Sequence, residues 1–244
     1  MNRFFLELDS LDNDILTLSE EESKHAAKVL RLQNGDSVEV INGKGELFLG
    51  EILDNAHKRM MIQRKEHLVQ PKDDYHIHIA IAPTKNNDRF EWFLEKATEL
   101  GIHEITPLLC DNSERKVINK DRFEKILVSA VKQSKRLFLP KLNDLTKLDV
   151  FLKNNPNGLL AHCYEDSSKN TTISKEIMKN SQRWLVQNTP ILIGPEGDFS
   201  QNEVQKATQN GYQFVTLGKT RLRTETAGVF ACASCKLFLE ENNA

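Results

Sequence analysis

The chain has 244 residues, of which 39% are hydrophobic and 28% charged, and its formal net charge is −2 at pH 7. These values are those of an ordinary globular protein with one large or two small domains, without a uniformly basic face for nucleic acid. No apolar run approaches the roughly 18 residues of a membrane span, and residues 1–9 are too short and acidic for a signal peptide. Because the four cysteines are few and scattered, we expect a reducing, cytoplasmic setting.

The first 70 residues carry short segments typical of β-strands, separated by the turn signals Asn34-Gly35-Asp36 and Asn42-Gly43-Lys44-Gly45. Ser19, followed by acidic residues, is a good N-cap for one helix over residues 20–30. We predict a small barrel over residues 1–70 and a polar linker at residues 70–74. Its predicted strands cover residues 4–8, 37–41, 46–53 and 59–67.

From residue 75 onward, predicted strands and helices alternate, which indicates βα units around a parallel sheet. The predicted strands cover residues 77–82, 105–109, 158–163, 189–193 and 214–217. The predicted helices cover residues 88–100 and 121–138, a segment from the capping box Ser200–Glu203 to Gly211, and residues from 224 onward.

Two apolar segments near the C-terminus stop at a glycine and continue into a polar loop: residues 191–200 and 217–228. Glycine allows a ligand to approach the backbone closely. Since ligands of open α/β sheets bind outside the carboxyl ends of the strands, we expect the two loops to be two walls of one pocket.

Other patterns in the sequence do not indicate a nucleotide, redox or metal site. Gly218-Lys219-Thr220 imitates the end of a P-loop, but the first glycine of that motif would fall at Gln213, and no Rossmann fingerprint follows a strand. Cys232 and Cys235 have redox or zinc spacing, but a zinc site needs a second pair, so we expect them to be buried packing residues. The histidines show no ligand spacing, and we predict no metal site.

The glycine loops resemble those of the RsmE family, SPOUT-superfamily methyltransferases of 16S ribosomal RNA. The resemblance rests on Gly194-Pro-Glu-Gly197 with Phe199-Ser200, and on Leu217-Gly218 followed by Leu222-Arg-Thr-Glu-Thr-Ala227. Asp198 and Thr220-Arg221 depart from the family pattern. Further matches in family order are His25, Val29-Leu30-Arg31, Gly35-Asp36, Lys96-Ala-Thr-Glu-Leu-Gly101, Ser113, Arg115, Gln133-Ser134 and Arg136.

This resemblance implies a PUA-like β-barrel that holds RNA, over residues 1–70, followed by an α/β SPOUT methyltransferase domain, over residues 75–244, with a parallel sheet and a C-terminal trefoil knot. The implied cofactor is S-adenosylmethionine, and the implied partners are 16S rRNA, the 30S subunit and a second copy of the chain. Small residues of the last helix suit close packing between subunits, although packing within one subunit would look the same: Ala227, Gly228, Ala231, Ala233 and Ser234.

The implied reaction is methylation of uridine at N3, a nitrogen that must lose its proton. Arg223 could stabilise the uracil anion, and Glu225 could accept the proton, hold Arg223 in place, or merely complement the N-terminus of the last helix. His162 could be a base or a structural residue of a strand end. The implied cofactor site comprises Leu160, Ala161, His162, Ile193, Gly194, Pro195, Glu196, Gly197, Leu217, Gly218, Leu222, Arg223 and Thr226.

Contact with RNA is expected from basic residues in both predicted domains. Lys132, Lys135 and Arg136 cluster on one predicted helix, where a solvated helix face is the alternative. The full set is Arg3, Arg31, Lys85, Arg89, Arg115, Lys132, Lys135 and Arg136. Two other functions stay open: a SPOUT enzyme acting on transfer RNA, and a non-catalytic RNA-binding protein that uses only the barrel.

Overall fold

The computed structural model describes residues 1–162, 171–179 and 188–241. The chain divides into two compact units, and the second segment of each is separated in sequence from the first. The first unit comprises Met1–Lys72 and Val128–Leu139, and the second comprises Asp73–Leu127 and Pro140–Ala244. No described helix is long and apolar enough to cross a membrane.

The first unit contains a curled five-stranded sheet in the order β1-β3-β4-β5-β2. Alternate residues of its strands are fully buried, among them Phe4, Val38, Phe48 and Ile62, as expected for a sheet with one face on a core. The strands are β1 Asn2–Phe5, β2 Ile15–Thr17, β3 Ser37–Ile41, β4 Glu46–Asp54 and β5 Met61–Val69. The small barrel predicted over residues 1–70 is therefore found as a curled sheet, with β2 as an additional strand.

The predicted helix over residues 20–30 has two parts. Its first part, α1 Glu20–Lys24, begins after Ser19, whose hydroxyl accepts the backbone N–H of Glu22 at 3.2 Å. The second part, His25–Val29, is a π-helix, in which the N–H of Leu30 bonds the carbonyl of His25. Ser19 therefore caps the helix as predicted, but the helix changes from α to π at His25.

The second unit is built on a parallel sheet in the order β11-β13-β10-β12-β6-β7-β8, with β9 also beside β7. The central strands β6 and β12 are buried at every position, as expected of a parallel sheet covered on both faces. The predicted parallel α/β sheet is confirmed, and the trefoil knot stays a prediction. The strands are β6 His78–Ile81, β7 Glu104–Leu109, β8 Lys141–Leu142, β9 Thr146–Lys147, β10 Leu159–Ala161, β11 Thr171–Thr172, β12 Pro190–Ile193 and β13 Gln213–Thr216.

The described helices begin and end largely where their caps predict. The helix α2 ends at Gly101, which adopts a left-handed φ of 97°, and the capping box between Ser200 and Glu203 is present. The helices are α2 Asn87–Leu100, α3 Lys120–Gln133, α4 Leu148–Asn154, α5 Ile173–Lys179, α6 Gln201–Gln209 and α7 Thr224–Glu241.

Several predicted elements differ in extent, and the strand predicted over residues 4–8 occupies Asn2–Phe5. The helix predicted over residues 121–138 ends at Gln133, because Lys135 takes a left-handed φ of 59° and Phe138 forms a β-bridge with Lys44 in the first unit. The strand predicted over residues 158–163 occupies Leu159–Ala161, and Cys163 lies outside the described residues.

The last helix, α7, packs tightly on α2. A Cβ atom added at Gly228 would lie 2.7 Å from a ring carbon of Phe93, so only glycine fits without movement. Ala231, Cys232 and Cys235 have no solvent exposure. The prediction that the two cysteines are buried packing residues is confirmed, and burial raises the pKa of the Cys235 thiol well above its usual value.

Candidate active site

The two glycine loops line one cavity of about 500 Å³ in the second unit. The strands β12, β10 and β13 are adjacent and parallel, with Ala161 paired to Ile193 on one side and to Val215 on the other. Their carboxyl ends therefore meet at one edge of the sheet. The cavity lies at this edge, where open α/β sheets bind ligands, and its size is in the range of small-molecule sites.

The loop after β12 is held by side chains from other segments. Asn112 donates its side-chain amide to the carbonyls of Gly197, at 3.2 Å, and Asp198, at 3.0 Å. Glu196 accepts the backbone N–H of Lys85 at 3.0 Å. Asp198 takes a left-handed φ of 62°, a conformation that a second glycine would adopt without strain. This wall of the cavity therefore has a fixed backbone.

The loop between β13 and α7 is fixed at both ends. At its start, Gly218 has a φ of 132°, and the Thr216 hydroxyl accepts its N–H at 3.2 Å and donates to its carbonyl at 2.9 Å. At its end, the Thr224 hydroxyl donates to the carbonyl of Gly194 at 3.1 Å. This last bond joins the two loops directly.

Glu225, in the first turn of α7, lines the cavity with a side chain that is only 8% exposed. Its Oε1 lies 3.9 Å from Nε of Arg89, and its Oε2 is buried with no hydrogen-bond partner among the described residues. Arg223 also lines the cavity but is exposed. The guanidinium beside Glu225 is therefore that of Arg89 and not that of Arg223. From the sequence, Arg89 is predicted to contact RNA.

His162 lies at the end of β10 and lines the cavity. Its ring meets the Phe214 ring edge-on, with centroids 4.9 Å apart. Burial lowers the pKa of His162 below 6.5, which keeps the imidazole neutral at pH 7. A neutral ring packed on an aromatic side chain suits a structural wall of the cavity.

Most of the residues predicted to bind the cofactor line this cavity. They are Ala161, His162, Ile193, Gly194, Pro195, Glu196, Leu217, Gly218, Leu222 and Arg223. Leu160 is buried beneath the cavity lining in a hydrophobic core, and Gly197 and Thr226 are exposed residues outside the lining. The notable lining residues that sequence reasoning gave no cofactor role are Arg89, Asp198, Thr216, Thr224, Glu225 and Ala227.

The residues predicted to contact RNA divide between the two units. In the first unit, Arg3 pairs with Glu39 at 2.7 Å, and Lys132 pairs with Glu22 at 2.6 Å. Both cations are largely buried, at 8% and 23% side-chain exposure, so they are neutralised within the unit. The other predicted contacts of this unit are Arg31, Lys135 and Arg136.

In the second unit, Lys85 pairs with Glu114 at 2.7 Å through an exposed side chain. Arg115 donates through Nε to the carbonyl of Thr84 at 2.9 Å and through Nη2 to the carbonyl of Lys85. Arg89 lies at the cavity beside Glu225. Several of the predicted RNA contacts are thus occupied by other groups of the protein.

The comparisons with known proteins agree with this architecture. A family model described as an RNA methyltransferase domain matches residues 71–236, and a second, described as an RNA methyltransferase PUA domain, matches residues 18–59. Ribosomal RNA small subunit methyltransferase E of Mesomycoplasma hyopneumoniae is 32% identical over 216 residues, which cover 85% of this chain and 88% of that protein.

Two solved structures extend the likeness to the whole fold. A "probable rRNA-methyltransferase" from Porphyromonas gingivalis is 31% identical, covers 100% of both chains and superposes with a TM-score of 0.83. A methyltransferase-fold structure from Legionella pneumophila, solved "in complex with the bound cofactor SAM", is 27% identical, covers 97% of both chains and has a TM-score of 0.81. The chain therefore belongs to the RsmE family of ribosomal RNA small subunit methyltransferases, as its sequence motifs predict.

Proposed function

We propose that this protein transfers the methyl group of S-adenosylmethionine to N3 of a uridine in 16S ribosomal RNA, in the cytoplasm. The observation that carries the proposal is the cavity at the carboxyl ends of β10, β12 and β13, which contains a shielded carboxylate beside a guanidinium. Family membership gives the class of reaction. In this proposal, residues 1–70 form the domain that holds RNA, and residues 75–244 form the methyltransferase domain.

The residues of the cavity fit the cofactor. No atom of the described residues lies within 4 Å of the position that a Cβ would take at Gly218, so a ligand can approach this backbone from the open side. Ile193, at the end of β12, and Leu217, after β13, line the cavity and offer apolar contacts, and the loops that follow them offer backbone N–H and C=O groups to an adenosine. When bound, S-adenosylmethionine supplies an electrophilic methyl group on a sulfonium.

Glu225 is the proposed proton acceptor. The N3–H of uracil stays protonated at neutral pH and becomes nucleophilic only as the proton leaves. A carboxylate that is shielded from water, and whose Oε2 has no hydrogen-bond partner among the described residues, is suited to accept it. Arg89 holds this carboxylate in place, and Arg223 stabilises the negative charge that develops on the uracil oxygens.

We also propose that the protein is a homodimer that uses the outer face of α7. Phe230 is 43% exposed and Leu237 is 56% exposed, on a helix whose Gly228 and Ala231 are already buried within the subunit. Gly228 and Ala231 thus pack inward, and the exposed apolar residues are the ones available to a second copy. Phe230→Glu is expected to convert the dimer to monomer with an unchanged circular dichroism spectrum. A wild-type monomer at micromolar concentration in sedimentation velocity would contradict this assembly.

The reaction is tested by its product. Purified 30S subunits that lack the modification would be incubated with the protein and labelled S-adenosylmethionine, digested to nucleosides and analysed by mass spectrometry. Label in 3-methyluridine at one site of 16S rRNA is the expected result. Label in 2′-O-methyl nucleosides, or transfer only to tRNA, would overturn the substrate assignment.

A second measurement separates an enzyme from an RNA-binding protein without catalysis. Calorimetry with S-adenosylhomocysteine is expected to show one site per chain. Glu225→Ala should retain this binding and lose methyl transfer. No heat of binding at millimolar ligand would reject the proposed cofactor and, with it, the proposed reaction.

A further inference from the structure

The loop between β13 and α7 carries three cations in five residues: Lys219, Arg221 and Arg223. All three line the cavity and are exposed. Throughout residues 1–162, 171–179 and 188–241, no carboxylate lies within 4 Å of their charged groups and no hydrogen bond engages their side chains. No acidic residue interrupts the segment from Thr216 to Arg223.

This arrangement differs from the basic residues that the sequence motifs placed on RNA. Arg3 and Lys132 are paired with carboxylates and largely buried, and Lys85 is paired with Glu114. An ion-paired side chain must lose its partner before it binds a phosphate, whereas an unpaired one releases only counterions. Binding of a polyanion therefore costs less free energy at the loop cations than at the ion-paired residues.

The backbone of the loop is held while its side chains are free. Thr216 fixes its first turn, and the bond from Thr224 to the carbonyl of Gly194 fixes its last residue to the opposite wall. A frame fixed at both ends presents its cations at a defined place, which lowers the ordering cost of binding. That place is the mouth of the cavity in which the proposed reaction occurs.

We propose that Lys219 and Arg221 bind RNA phosphates that flank the target uridine, at the mouth of the cavity. The inference rests on the proposed function, because an enzyme that acts on a base edge must take that nucleotide out of its stack and grip the backbone beside it. Arg223, closer to Glu225 in the chain, stays assigned to the uracil. Lys219 and Arg221 thereby become substrate-binding residues that do not touch the reacting atoms.

The test is the salt dependence of RNA binding by Lys219→Ala/Arg221→Ala. Binding to labelled 30S subunits would be measured between 0.05 and 0.3 M KCl, with affinity for S-adenosylhomocysteine measured in parallel. We expect the dissociation constant for 30S to rise about tenfold or more, and the slope of log affinity against log salt to flatten by roughly 1 to 1.5. Cofactor affinity and the unfolding curve should stay at wild-type values.

The matched control is Lys147→Ala/Lys153→Ala, which removes two exposed cations that lie outside the cavity lining. This variant is expected to keep both the affinity for 30S and the salt slope. An unchanged slope in the loop variant would overturn the inference. Weakened binding of S-adenosylhomocysteine would overturn it too, because the loop would then bind the carboxylate of the cofactor. Wild-type protein that binds no S-adenosylhomocysteine would instead refute the proposed function.

Discussion

Glu225→Gln separates the stability of the protein from its chemistry. The substitution keeps the shape of the side chain and removes a charge that is 8% exposed. In the part of the chain that the structure describes, one oxygen of this carboxylate has no hydrogen-bond partner. A buried polar group without a partner costs about 1–3 kcal/mol, and the neutral amide is cheaper to bury than the carboxylate. The lower cost of burying the amide therefore raises the free energy of unfolding of the variant.

The loss of the ion pair opposes this gain. Two unit charges at the observed 3.9 Å attract by about 1 kcal/mol in water and about 4 kcal/mol at an effective dielectric constant of 20. Because Arg89 is 42% exposed, its interaction lies toward the weaker limit. The two effects nearly cancel, so the free energy of unfolding should change by no more than about 1 kcal/mol.

The activity, in contrast, should fall steeply. An amide cannot accept the N3 proton, and the loss of a general base typically costs 10²–10⁴-fold in rate. Urea denaturation would measure stability, and single-turnover methyl transfer to 30S subunits would measure the chemical step. Glu124→Gln is the control, since Glu124 is an exposed carboxylate outside the cavity lining. Destabilisation above about 3 kcal/mol would contradict the view that the Glu225 carboxylate is incompletely hydrogen-bonded. An unchanged single-turnover rate would refute its role as the base.

Two further predictions follow from the cavity wall and from the first residue of the central strand β6. Gly197→Val is expected to weaken binding of S-adenosylhomocysteine with a normal melting curve, because the new Cβ would lie 3.2 Å from Asn112 and displace the amide that holds the loop; calorimetry showing wild-type affinity would rule this out. Burial lowers the pKa of His78 from 6.5 to about 4. In the unfolded chain His78 therefore binds a proton near pH 6.5, whereas in the folded chain it stays neutral until about pH 4. The free energy of unfolding keeps its full value above pH 6.5 and falls by about 3 kcal/mol as the pH drops to 4. Burial would raise the pKa of the Glu104 carboxyl, but hydrogen bonds, first from His76, lower it overall. The unfolded chain therefore protonates Glu104 more readily than the folded chain does, and the free energy of unfolding falls more steeply below about pH 4.5. Urea midpoints at pH 7, 5 and 4 measure this, and a His78→Asn variant whose midpoints decline as steeply between pH 7 and 5 would count against it.

The local signals of the sequence predicted the elements well where a cap or a turn residue marks them. Gly101 ends α2, and the capping box of Ser200 begins α6, because these residues satisfy backbone groups within their own segment. The elements that the sequence did not predict are short, such as the three-residue β2, in which a single side chain, Leu16, is buried. A hydrophobic period cannot be recognised over so few residues.

The candidate site shows where sequence reasoning stops. The glycine loops could be predicted because each is a continuous motif. The approach of Arg89 to Glu225 could not, since the two residues come from the first turns of different helices and meet only after α2 and α7 pack. The same packing decides the direction of Ala231, which faces the interior of the subunit and not a second copy. No local pattern distinguishes these two uses of a small residue.

The packing of α7 also determines how the site can change. Gly228 permits contact with Phe93, and the buried side chains of Ala231, Cys232 and Cys235 follow on the same helix. Glu225 stands one turn before this glycine, so the position of its carboxylate is set by the register of a packed helix and not by the conformation of a loop. Evolution can therefore remodel residues 219–223, and with them the choice of substrate, while the carboxylate stays in place. A new methyl acceptor needs new loop side chains, whereas a displaced carboxylate would need a new protein core.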